Sequence, residues 1–167
     1  VIDIELYRQA LTHKSYIKKE FYDKNMDEIL KYKNKMPNDV LELRELSNER
    51  LEFFGDTIIK AVIAEYLFER YPTQDEGFMT KLKTKIENRE SLARWAKVMG
   101  LDEYIIISAQ NESSNTGRTN DKILEDAFES FLGALKKDTN FETCKALIRN
   151  LLENQVDWSE ILYKDCN

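Results

Sequence analysis

The stretch NERLEFFGD, residues 48–56, sets Glu49, Glu52 and Asp56 among Leu51, Phe53 and Phe54. Burying a carboxylate costs several kcal/mol unless something compensates its charge, so acids carried through such an apolar run call for a partner. On a helical wheel turning about 100° per residue, with Glu52 at zero, Asp56 falls at about 40° and Glu49 at about 60°. The three acids share one face, and Ile59 and Ile63 fall within about 20° of Glu52 on it. From Phe53 to Phe68 the helix reads as apolar nearly all round, the pattern of a buried helix, so its acids point toward an interior or a cleft.

A second acidic pair lies in LEDAFESFLGAL, residues 124–135. Asp126 and Glu129, spaced i, i+3, share a face with Lys122, Ser130 and Gly133, while Leu124, Phe128, Phe131 and Leu135 form the opposite stripe. Gly55 and Gly133 each sit mid-helix, where Gly costs about 1 kcal/mol relative to Ala. A close crossing of the two helices at their acidic faces accounts for both, and it would converge Glu52, Asp56, Asp126 and Glu129 on one point. Four ionised carboxylates share a site only with a cation present, because like charges a few Å apart otherwise drive protons onto some of them. Hard oxygen donors select Mg²⁺, Mn²⁺ or Ca²⁺, and partial carboxylate coordination that leaves waters in place suits Mg²⁺. Such a site fits phosphodiester hydrolysis, in which a metal polarises the phosphoryl oxygen, acidifies an attacking water and stabilises the leaving oxygen.

In a chain with 31 Asp and Glu, either acidic cluster alone is also what a solvated helix face looks like. Their conjunction, each on an otherwise apolar helix with a mid-helix Gly, raises a metal site to a reading on a par with solvated surface. Carboxylate di-iron bundles need Glu-x-x-His pairs, and the single histidine, His13, stands in none.

The 167 residues, 42% apolar and 34% charged, suffice for one core, and five Gly with two Pro leave too little turn chemistry for an all-β fold. An all-α domain is expected. Cys144 and Cys166, 22 residues apart and without CxxC spacing, form no disulfide scaffold and suggest a reducing compartment. The sequence has no apolar window of about 18 residues and no basic start leading into an apolar core, which predicts no membrane segment and an intracellular chain, cytoplasmic or nuclear rather than secreted. The first residue is Val1, and ILYKDCN closes without an obvious finish, so the chain reads as a fragment of a longer one. A net charge of −6 counts against nucleic-acid binding through the overall field, so any such contact must be local.

Periodicity predicts a short helix over residues 3–13, a polar segment from Lys18 to Asn38, and a long helix from near Asp39 or Val40 to Tyr71. A turn at Glu76-Gly77-Phe78 leads into a helix from about Met79 to Val98 that ends at Gly100. Leu101–Ser108 is β-prone or a buried helix end, and residues 111–120 form a loop. Two helices follow, near Asp121–Lys137 and Phe141–Gln155, joined by Asp138-Thr139-Asn140. Lys81, Lys85 and Arg89, at i, i+4 and i+8, are a candidate phosphate-facing stripe or a plain solvated face. Tyr16, Trp95 and Trp158 read as core or interface aromatics, since no regular basic interleaving marks a stacking platform.

These residues resemble the ribonuclease III family. NERLEFFGD is similar to its signature motif and EDAFESFLGAL to its second acidic motif, with Ala10-Leu11-Thr12-His13-Lys14-Ser15-Tyr16, Glu76-Gly77-Phe78-Met79 and Lys122 as further landmarks in family order. The resemblance implies a multi-helix, all-α endonuclease domain that forms a homodimer and cleaves double-stranded RNA with Mg²⁺ or Mn²⁺, leaving 5′ phosphates and short 3′ overhangs. It implies Glu52, Asp56, Asp126 and Glu129 as catalytic metal ligands, Glu49, Glu76 and Lys122 as supporting positions, and Phe53 and Phe54 as core and dimer-interface residues, one filling its own core and the other meeting the partner. The domain is expected over residues 1–158, with 159–167 starting a linker toward a double-stranded-RNA-binding domain. Three departures stand out: the long Lys18–Asp39 segment, read as an insertion, Glu125 beside Asp126, and Lys136-Lys137 where apolar residues are usual. The alternative from another class is a non-catalytic double-stranded-RNA-binding or structural module, and the four intact acids argue against it.

Overall fold

The backbone's polar groups dictate where helices start. Asp3, Asp75, Asn88, Asn120 and Asn140 each turn a side-chain oxygen onto amides of the first turn that no intrahelical carbonyl can reach. A computed structural model describes residues 2–17, 41–113 and 117–163. Among them, the α-helices are α1 (Ile4–Ala10), α2 (Glu49–Arg70), α3 (Glu76–Ile86), α4 (Arg89–Val98), α5 (Ala109–Ser113), α6 (Asp121–Asp138), α7 (Phe141–Gln155) and α8 (Trp158–Tyr163). The fold is all-α as expected. No strand occurs among the described residues, and the β-prone run after Gly100 forms a short 3-10 turn, Leu101–Tyr104, then a single parallel bridge from Ile106 to Thr12. The Lys18–Asp39 insertion and Cys166 lie outside the described residues.

The long central helix α2 packs against α6, α7 and α3, while α6 also receives α1 and α4. Ile59, Ile63, Leu67, Leu124, Phe128, Leu132, Ile148, Leu152 and Trp95 fill the space between them, each 2% exposed or less. The α2–α6 crossing is closer than side chains permit: a Cβ on Gly55 would lie 1.6 Å from the Glu129 carbonyl oxygen, and one on Gly133 would lie 2.4 Å from that of Leu51. Both mid-helix glycines are therefore contacts between backbones. The crossing brings the first turns of α2 beside the middle of α6, which is where the acids are.

Several boundaries differ from expectation. The central helix does not begin near residue 40, because residues 41–48 are non-helical and Glu49 opens the helix, its amide donating to Ser47 Oγ at 3.3 Å. The helix expected from Met79 to Val98 begins earlier, at Glu76, and is two helices: the first closes at Ile86 with Glu87 as its C-cap, and Asn88 caps the next by accepting from the Ser91 amide. This break removes the Lys81-Lys85-Arg89 stripe. Lys85 Nζ donates to the Ile161 carbonyl and Arg89 pairs with Glu125 at 3.0 Å, so the three do not present one row. Nor is α2 buried all round: Phe53 is 78% and Phe68 70% exposed, while Leu51, Ile58, Ile59, Val62 and Ile63 line one buried face. The expectation that Phe53 or Phe54 fills its own core is corrected accordingly, since both are exposed and Leu51 takes that place.

At the other end of α2, Arg70 lies 4.4 Å from the Trp158 ring centroid and donates to Tyr66 Oη. The division expected after residue 158 falls inside α8, whose Ile161 and Leu162 pack against the core. Near the acids, the buried Ser130 hydroxyl donates to the Ala10 carbonyl at 2.5 Å, tying α1 to α6 beside Glu129. Ser130→Ala is expected to lower stability by about 1–2 kcal/mol in urea titrations at unchanged m-value, because it strips a hydrogen bond from a buried carbonyl.

Candidate metal centre

The crossing sets Glu52 of α2 against Asp126 and Glu129 of α6, with one carboxylate oxygen from each lying within 4.8 Å of the others. Local sequence fixes these positions. The Asn120 side chain caps α6 by accepting from the amides of Lys122 and Ile123, which places Asp126 and Glu129 on the next two turns, facing α2. Glu129 is the deepest acid, 7% exposed, and it adjoins the backbone contact with Gly55. Lys122 Nζ stands at the rim, 2.6 Å from Asp126 Oδ1, 3.6 Å from Glu125 and 3.7 Å from Glu52.

The electrostatics record charge in excess of its compensation. Burial, then the charges of Asp56, Glu125, Glu52 and Asp126, push the Glu129 carboxyl up to about 8. Burial and Asp126 raise Glu52 as well, against the opposing pull of Lys122. Burial would lower Lys122, but its hydrogen bond to Asp126 and the acids around it push it up to about 12. One ammonium group at the rim thus leaves Glu129 without an ion-pair partner among the described residues. An all-oxygen donor set of this span, holding surplus negative charge and lacking His or Cys, fits a hard divalent cation.

The remaining predicted residues are more scattered. Asp56 lies one turn beyond Glu52, outside the close group, and pairs with Lys60 at 2.6 Å, although its charge is the largest after burial among the influences on Glu129. Glu49 is exposed, accepts from Ser47 Oγ at 3.1 Å and lies 4.0 Å from Lys14. Glu76 is exposed in the first turn of α3 and accepts from Thr80 Oγ1. Phe53 and Phe54 are on the outer side of α2. Glu125 is held by Arg89 and Lys122 and stays outside the close group. His13 Nδ1 caps the 3-10 turn Lys14–Tyr16 by accepting from the Ser15 amide, and burial lowers its pKa, a structural role. Lys60 was not singled out by sequence, although its i, i+4 spacing from Asp56 was there to find.

Fold and site together define a helical domain with a carboxylate centre where its two main helices cross. Residues 3–156 match the model of a family described as ribonuclease-III-like, and the chain belongs to that family. It is 36% identical over 167 residues to a probable ribonuclease 3 of Acanthamoeba polyphaga mimivirus, covering 99% of this chain and 29% of that protein. It is 34% identical over 165 residues to ribonuclease 3 of a Nitratiruptor species, covering 98% of this chain and 61% of the relative. The chain thus spans less than two thirds of these curated relatives. Among solved structures, the nuclease domain of ribonuclease III from Campylobacter jejuni superposes with a TM-score of 0.73 at 30% identity, covering 94% of this chain and 88% of that one. A second structure of that domain, described for structural flexibility in a region involved in dimer formation, gives 0.71 at 32% identity, covering 92% and 88%. Among the described residues no helix is long and apolar enough to cross a membrane.

Proposed function

We propose that the chain is the nuclease domain of a divalent-metal-dependent endoribonuclease that hydrolyses phosphodiester bonds of double-stranded RNA, leaving 5′ phosphates and short 3′ overhangs. The observation that carries this reading is the group formed by Glu52, Asp126 and Glu129 at a helix crossing, in a member of the ribonuclease-III-like family. Glu52, Asp126 and Glu129, with Asp56 one turn away, would hold Mg²⁺, with Mn²⁺ able to replace it. The bound ion supplies Lewis-acid polarisation of the phosphodiester and a more acidic water.

The chain's own residues do the rest. Glu129, deepest and most strongly raised, anchors the centre. Lys122 holds Asp126 and Glu52 at the rim and offers a positive charge to an arriving phosphate, which a chain of net charge −6 must supply locally. Glu49, whose charge bears on Glu52, is a supporting acid of the centre, whereas Glu76 lies at the other end of α2, where Phe78 packs on Tyr71, and is not brought to it. The exposed Phe53, Phe54 and Phe68 leave apolar surface along α2 that a second copy would cover, which favours a homodimer. A-form duplex offers shape, phosphates and 2′-hydroxyls, so weak sequence preference is expected.

Long duplex RNA incubated with Mg²⁺ and the chain is expected to be cut, and Glu129→Gln to lower the rate by at least about 100-fold, the order of effect of removing a group that holds the metal. Dimerisation, followed by sedimentation, should persist. Equal cleavage by both proteins would sink the assignment, and duplex binding without turnover at any Mg²⁺ or Mn²⁺ concentration would favour the non-catalytic module.

A further inference from the structure

Asp56 stands apart from the group that Glu52, Asp126 and Glu129 form, and its carboxylate is turned onto Lys60, with Nζ 2.6 Å from Oδ2. Acid N-terminal to lysine at i, i+4 is the order that favours an ion pair along a helix. Lys60 has further reason to stay: Glu87 and Glu129 attract its charge together with Asp56. Asp56 for its part is near enough to Glu129 to bear on its carboxyl more than any other charge does. The fourth acid is thus adjacent to the centre but engaged elsewhere.

The other lysine paired with these acids differs in kind. Lys122 touches Glu52 at 3.7 Å, Glu125 at 3.6 Å and Asp126 at 2.6 Å, so its charge remains shared if one of these acids moves. Lys60 forms its ion pair with Asp56, and that pair must open before both carboxylate oxygens of Asp56 can face the centre.

We propose that Lys60 holds Asp56 out of the carboxylate group, so that a divalent cation recruits Asp56 only by breaking this ion pair, and that Lys60 is thereby the positioning residue that sets how much cation the centre needs. The inference rests on the reading of the crossing as a metal centre. The exchange is simple: the ammonium group keeps its proton and turns to solvent, and the carboxylate passes from one cation to another. The Lys60 side chain is 49% and that of Asp56 33% exposed, so the pair is modest and its effect on affinity is a few-fold.

The test is Mn²⁺ binding to the intact chain without RNA, followed by the loss of free-ion electron paramagnetic resonance signal. Lys60→Met is expected to tighten binding about two- to fivefold, and Lys60→Arg to keep it within about twofold of the wild type. In an Asp56→Asn background, Lys60→Met should tighten binding distinctly less, by only what the Lys60 charge exerts on Glu129. A lysine acting only through its general field would tighten binding equally in both backgrounds, and one that merely supports the helix would move thermal unfolding and leave affinity alone; either result overturns the proposal. If Glu129→Gln abolishes Mn²⁺ binding while Lys60→Met matches the wild type, the proposal falls and the metal centre stands. A wild-type chain that takes up no Mn²⁺ overturns both.

Discussion

Gly55→Ala is expected to leave a chain without fixed tertiary structure, its near-UV circular dichroism lost and its urea transition broadened or absent. The added Cβ would sit 1.6 Å from the Glu129 carbonyl oxygen, 2.6 Å from the carbonyl carbon and 2.9 Å from the Gly133 amide nitrogen. None of these is the end of a side chain that could rotate away. The two helices must separate by more than an ångström, and the interface that seats Ile58, Ile59, Phe128 and Leu132 loses its packing. A loss above about 4 kcal/mol is expected, against a total stability of order 5–15 kcal/mol for a domain. Gly133→Ala, with Leu51 O at 2.4 Å, should be nearly as severe. Gly77→Ala, where the nearest atom is Asp75 Oδ1 at 3.5 Å, is the control and should stay within about 0.5 kcal/mol of the wild type. Gly55→Ala unfolding at the wild-type urea midpoint would refute the close crossing on which both fold and site depend.

That crossing also explains what could be read from the sequence. Two mid-helix glycines beside two acidic faces are a three-dimensional statement in one dimension, because Gly is disfavoured in a helix unless a backbone must approach. The Glu52, Asp126 and Glu129 group followed from it directly. Other features rested on weaker local signals. The Asn88 break carries neither Gly nor Pro, and one asparagine capping a new turn looks in sequence like a polar residue on a continuous helix; the lost Lys81-Lys85-Arg89 stripe followed from that. An apolar α2 reads alike whether a residue faces its own core or a partner, so Phe53 and Phe68 could not be sorted from Ile59 and Ile63 by periodicity. The wheel put Asp56 on the acidic face, where it is, but a wheel cannot show which of two cations a carboxylate turns to. Charge partners depend on side-chain rotamers, and Lys60 decided this one.

Without divalent cation, in the presence of a chelator, the folded chain is expected to lose stability as pH rises from about 5 to 8. The sign follows from Glu129. Its carboxyl is pushed from an ordinary value of 4.5 up to about 8, by burial first and then by the neighbouring acids, so between those values the folded chain binds a proton that the unfolded chain has released. Stability then falls with pH, the reverse of a carboxylate held by a salt bridge. At 1.36 kcal/mol per unit the full shift corresponds to about 5 kcal/mol, and water entry and relaxation around the ionised group reduce the expected loss to about 2–4 kcal/mol. Glu52, raised by burial and Asp126, adds in the same direction. His13, lowered by burial, works the other way below its ordinary value, but it is common to the proteins compared. Glu129→Gln keeps the shape and removes the titration, so with chelator at pH 8 it should unfold about 4–10 °C above the wild type, with little difference at pH 5. Adding Mg²⁺ should stabilise the wild type, by binding the folded state alone, and do little for the variant, so the gap closes. The substitution expected to slow the proposed cleavage at least about 100-fold is therefore also expected to strengthen the cation-free fold. A flat wild-type profile between pH 5 and 8, or an E129Q chain no more stable than the wild type at pH 8, would show that the centre does not hold the unbalanced charge that makes it a place for a metal.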